Sequence, residues 1–77
     1  MKITYDSEAD ALYIELRKAR PVVGRDIEDG VAVDLDDNGH VIGFEILDAS
    51  KRLTKEELSM VSYENLVSEK KASLKLP

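Results

Sequence analysis

At 77 residues with no cysteine, the chain has the size of one small domain, and neither a disulfide nor a thiolate metal site can brace or equip it. A content of 43% hydrophobic and 35% charged residues is that of a folded chain rather than a disordered one, and three Tyr, one Phe and no Trp imply a light, aliphatic core. Sixteen acidic against eleven basic residues leave a net charge of −5, a field that repels nucleic-acid phosphates and anionic membranes and suits basic partners.

The N-terminal stretch Ile3 to Tyr5 is short and β-prone and runs into the polar Asp6-Ser7-Glu8-Ala9-Asp10, which reads as a strand over about 2–5 followed by a loop. Leu12, Ile14 and Leu16 then alternate with Tyr13, Glu15 and Arg17, and this period of two predicts a half-buried strand over about 11–17. Pro21 interrupts the chain. A third strand over about 22–27 follows, weakened by Gly24, and Glu28-Asp29-Gly30 turns it.

The clearest signal spans Gly30 to Leu47. Val31, Val33 and Leu35 alternate with Ala32, Asp34 and Asp36, the run Asp37-Asn38-Gly39 supplies a turn, and Val41 to Leu47 resumes the strand, giving elements over about 30–36 and 40–47. A two-residue turn at Asn38-Gly39 pairs Leu35 with Ile42, Val33 with Phe44 and Val31 with Ile46, all on one face, while a four-residue loop closed by a left-handed Gly39 keeps the same phase. After Leu47 the period changes. Thr54-Lys-Glu-Glu57 has the form of a capping box and opens a short helix over about 54–60; the run 61–67 fits either more helix or a final extended segment. The Lys-rich residues 68–77 read as a polar tail. The fold class expected is therefore α+β, mainly β: one domain over 1–67, an antiparallel β meander of about five strands with a short C-terminal helix.

Three constellations are candidates for chemistry. Asp34, Asp36, Asn38, Gly39 and Glu45 match the calcium-loop pattern position by position, with hard oxygen ligands and a turn glycine in the right places. The flanks alternate at period two instead of forming the helices such a loop needs. The expected reading is thus a solvated acidic strand face, with Asp34 and Asp36 pointing away from the core, and divalent metal binding by Asp34, Asp36 and Glu45 is the alternative. Asp6, Glu8 and Asp10 also space carboxylates two apart, but Ala11 and Arg17 stand where a calcium loop needs Gly and Glu, so turn bonding and solvation are expected. His40, the single histidine, follows the turn glycine, where exposure is expected; no Ser lies in a nucleophile-elbow motif and the glycines form no phosphate cradle.

Tyr5-Asp6-x-Glu8-Ala9-Asp10-Ala11-Leu12-Tyr13-Ile14 at one end and Gly43-x-Glu45-Ile46-Leu47-Asp48-Ala49-Ser50 at the other give the chain a resemblance to a known family. It resembles the small prokaryotic proteins grouped as domain of unknown function twenty-two eighty-three, over about Met1 to Leu53 and including Asp29-Gly30-Val31. The resemblance implies a compact domain with no established activity, cofactor or catalytic residue. No catalytic residue and no cofactor are accordingly assigned. The function expected is a non-enzymatic binding or interaction module, homodimeric because so short a chain buries only about 60% of its surface alone. An antitoxin-like partner of a small basic toxin is the variant that analogy with other small acidic proteins offers, and a metal-assisted enzyme using Asp34, Asp36 and Glu45 is the alternative from another class. No direct nucleic acid or membrane partner is expected, and with no apolar run resembling a signal peptide or a span, a cytoplasmic location is.

Overall fold

The computed structural model of the chain describes residues 1–67. The expected tail over 68–77 lies outside these residues. Five strands, β1 (Lys2–Asp6), β2 (Ala11–Glu15), β3 (Val23–Glu28), β4 (Val31–Leu35) and β5 (Val41–Leu47), are followed by two short helices, α1 (Ala49–Arg52) and α2 (Lys55–Ser59). The fold is mainly β with α+β character. All five strands join one antiparallel sheet in the order β1-β2-β5-β4-β3. Chain order and spatial order diverge at the link 16–22, which carries the chain past Pro21 to the far edge and leaves the centre to β5, the longest strand. No helix of the described residues is long and apolar enough to cross a membrane.

Strand registers sort the side chains cleanly. Ile3 pairs with Ile14 and Tyr5 with Leu12; Leu12 and Ile14 pair in turn with Ile46 and Phe44, which face Val31 and Val33. These eight side chains share one face. The opposite face carries Thr4, Tyr13, Glu15, Glu45, Ala32, Asp34 and Asp26. Alternation along each strand is thus the cause of the two-faced sheet. Leu53, Leu58 and Val61 lie over the apolar face at its β1–β2 end, around a gap of about 300 Å³. Burial is nonetheless thin: among the described residues Val33, Leu35, Ile42 and Ala49 are the buried apolar ones, and no large side chain is completely enclosed.

The β4–β5 hairpin keeps the expected pairs Val31 with Ile46 and Val33 with Phe44, but Leu35 pairs with Val41, not with Ile42. The turn is the reason. Gly39 N–H donates to the Asp36 carbonyl and Asp36 N–H to that of His40, so the loop contains three residues, with Gly39 at φ 81°. A type I turn followed by a left-handed residue is a standard hairpin solution, and it shifts the register by one. The irregularity between Asp34 and Leu35 absorbs that shift, and both Leu35 and Ile42 stay buried. Burying a side chain of that size is worth about 1.5–3 kcal/mol, which decides in favour of distorting the ladder over exposing either one.

At the C-terminal end of the sheet α1 appears where no helix is expected from the sequence. Asp48, at φ 53°, swings the chain out of β5, and Ala49 enters the core with its amide on the Asp10 carbonyl, 3.0 Å away. Helix α2 begins at the anticipated capping box: Thr54 accepts from the Glu57 amide, and Glu57 accepts from the Thr54 amide at 2.8 Å. Residues 61–67 are neither helix nor paired strand.

Candidate functional site

Two carboxylates organise the ends of the sheet. Asp6 and Asp10 bracket the β1–β2 turn, and Asp6 caps it by accepting from the amides of Glu8 and Ala9, the turn bonding expected there. Asp10 does more. It adopts φ 52°, and its carboxylate accepts from the Tyr5 hydroxyl at 2.6 Å, from the Ser50 hydroxyl at 2.6 Å and from the Ser50 amide at 3.0 Å. The Ser50 hydroxyl first, then that of Tyr5, hold the Asp10 carboxyl below the usual carboxylate range, while the same hydrogen bond pushes the Tyr5 phenol up. Ser50 therefore donates to a carboxylate and not to an imidazole: His40, exposed as expected, lies at the other end of β5, roughly 23 Å of strand away. This cluster ties the β1–β2 turn to α1.

Beside it opens a groove of about 530 Å³ lined by Tyr5, Ser50, Leu53, Lys55 and Leu58 among others. Next to α1, Arg52 clamps the β3–β4 turn, pairing with Glu28 at 2.9 Å and donating to the Asp29 carbonyl. Its guanidinium comes within 2.9 Å of where a Cβ on Gly30 would stand, and Gly30 has φ 82°. The glycine in Asp29-Gly30-Val31 serves both needs.

On the polar face Tyr13 crosses over Gly43 of β5 to reach Asp34 of β4, donating its hydroxyl at 2.7 Å. A Cβ on Gly43 would stand 2.2 Å from that hydroxyl, so the glycine is the notch that lets the ring lie across the sheet. The hydrogen bond to Asp34, with burial second, pushes the Tyr13 phenol up to about 12. Asp36 is not solvated as expected: it is buried at 9% exposure. Its carboxylate accepts from the amides of Asn38 and His40, each at 2.9 Å, and pairs with Arg17. The His40 amide is the largest influence holding its carboxyl down, followed by Asn38 and Arg17 against the cost of burial. Of the calcium-like residues, Asp34 and Glu45 thus share the polar face, while Asp36 is taken up by the turn. Among the described residues no group of three or more His, Asp or Glu is placed to hold a metal ion.

The sequence signal that could have joined Asp10 to Ser50, forty residues apart, was the pair of signatures themselves, because each contributes one side of the cluster. An antiparallel sheet apolar on one side, with its turns clamped by Asp10, Asp36 and Arg52 and no convergent catalytic group among them, defines a small, half-covered β domain. The chain belongs to the family described as protein of unknown function (DUF2283), which matches residues 2–50. It is also 43% identical over 51 residues to an uncharacterised protein of Methanocaldococcus jannaschii, a match covering 66% of this chain and 43% of that protein. The chain therefore spans less than half the length of the curated relative it matches. No solved structure matches it.

Proposed function

We propose that the protein is a non-enzymatic interaction module that works as a homodimer, its sheet completed by a second copy. One observation carries this reading: among the described residues a five-stranded sheet with one apolar face has only Leu53, Leu58 and Val61 over one end of it, with Ile3, Tyr5, Leu16, Val23 and Val41 between 37% and 48% exposed. A sheet with an apolar face must bury it against another layer, and at this size a second protomer is a common solution. Light scattering on the full chain tests it. Twice the chain mass of 8.6 kDa is expected, and a strict monomer at every concentration contradicts it.

The opposite face favours a second, compatible contact. Glu15, Asp26, Asp34 and Glu45 all project from it, which with the net charge of −5 suits a small basic protein, the antitoxin-like arrangement being one form of such a pairing. Titration with a basic peptide should give binding that weakens with added salt and is lost in a Glu15→Gln/Glu45→Gln variant. Unchanged binding by that variant removes this face from consideration.

A further inference from the structure

Residues 61–67 leave α2 as an arm, neither helical nor paired, that makes no hydrogen bond to the sheet. No backbone–backbone hydrogen bond joins the arm to any other described residue, and its one bond among them is local, from the Val67 amide to the Asn65 side chain at 3.0 Å. The arm is nonetheless apolar and open, with Tyr63 81% and Leu66 85% exposed. A segment outside helix and sheet, with amides unbonded to other described residues and bare apolar side chains, has the properties of an unpaired strand.

The sheet offers a matching vacancy at β3. This edge strand is exposed at every residue, and its apolar members Val23 and Ile27 stand 48% and 62% open. We infer that the arm of one protomer adds to the free edge of β3 in a second copy as an antiparallel strand, placing Tyr63 opposite Asp26, Glu64 opposite Arg25, Asn65 opposite Gly24 and Leu66 opposite Val23.

Three features select this partner and register. Val61 borders the gaps that Ile3, Ile14 and Leu16 also line, on the β1–β2 side of its own sheet. From β2 to β3 is three strand spacings, about 14 Å, whereas Tyr63 is two residues on from Val61, about 7 Å of reach. With Tyr63 opposite Asp26, the arm cannot reach its own β3. Charge fixes the phase: among the described residues neither Arg25 nor Glu64 has an ion-pair partner, and this register sets them opposite each other, beside an apolar Leu66–Val23 pair on the same face. Length agrees as well, since the irregularity in β3 begins at Asp26 and the arm's local bond to Val67 closes the other end, leaving four residues on each side. Two such exchanges, related by a two-fold axis, close the dimer and cover the β3 edge of each protomer.

The inference rests on the homodimer reading, and disulfide trapping separates the two. The chain has no cysteine of its own, so Gly24→Cys and Asn65→Cys can be made singly and mixed under mild oxidation. Space permits the first, because a Cβ at Gly24 meets only the Asp34 carboxylate at an ordinary 3.7 Å. The expected result is a disulfide-linked heterodimer of the Gly24→Cys chain with the Asn65→Cys chain, identified by peptide mapping. Arg25→Cys mixed with Glu64→Cys is a second pair, at the adjacent position, and should couple in the same way. Absence of both heterodimers, or coupling of Asn65→Cys to a Lys2→Cys variant on the β1 edge instead, overturns the arm exchange. A dimer by light scattering that fails to cross-link leaves the homodimer standing without the exchange; a monomer removes both.

Discussion

Replacing Gly43 with alanine adds one methyl group at the point where Tyr13 crosses the sheet. The new Cβ would lie 2.2 Å from the Tyr13 hydroxyl, 2.7 Å from its Cζ and 3.2 Å from the Ile14 carbonyl oxygen. The first two distances are unphysical, so the ring must leave. Displacing it forfeits the hydrogen bond to Asp34, about 1–2 kcal/mol for a charge-assisted bond at a partly exposed site, and repacking around an added methyl costs about 1–3 kcal/mol. Removing a flexible glycine from a strand returns about 0.5–1 kcal/mol. A net loss of about 2–3 kcal/mol is expected, which in a chain of this size lowers the thermal midpoint by roughly 10–20 °C. Urea unfolding followed by circular dichroism at fixed protein concentration measures it. The decisive comparison is Gly43→Ala made on a Tyr13→Ala background, where the obstructing ring is gone and the added methyl should change stability by less than about 0.5 kcal/mol. An equal loss on both backgrounds refutes the ring-over-glycine explanation.

Other consequences follow from the same geometry. Tyr13 should ionise near pH 12 in a spectrophotometric titration and Tyr5 above its ordinary 10.0, while Tyr13→Phe removes the late component; because the folded state raises the phenol, its contribution is complete below pH 10 and fades as pH rises toward 12. The carboxyls of Asp10 and Asp36 are both lowered from 3.8, so the stability they add is complete above that value and is lost as pH falls through their folded-state values; Asp10→Asn should flatten the acid side of a urea-midpoint profile, and an unchanged profile contradicts the role given to the cluster. Thr54→Ala removes the acceptor for the Glu57 amide and should cost about 1 kcal/mol, read as a shifted urea midpoint with the slope unchanged.

Much of the fold was legible because local chemistry and pattern agreed. The alternation from Val31 to Leu47 fixed two of the three hairpin pairs, and Thr54 to Glu57 fixed the start of α2. What stayed hidden involved choices made by single side chains or by distant parts of the chain. The turn took three residues because the Asp36 carboxylate captures the amides of Asn38 and His40, an interaction that also withdraws Asp36 from solvent. Helix α1 has four residues, too few to show a period, and begins at a left-handed Asp48 that no propensity favours strongly. The placing of β5 between β2 and β4 is a long-range pairing with no local signature. Of the candidate site, the acidic residues were visible in the sequence, but the union of Asp10 with Ser50 and the crossing of Tyr13 to Asp34 depend on contacts 40 and 21 residues apart.

If a second copy completes the sheet, folding and association are one equilibrium, and the stability of the full chain must depend on its own concentration. Urea midpoints measured over a hundredfold range of protein concentration test this most directly. The midpoint should rise steadily with concentration; a midpoint that does not move means that the sheet, with its exposed Ile3, Tyr5, Leu16, Val23 and Val41, is stable alone, and contradicts the homodimer.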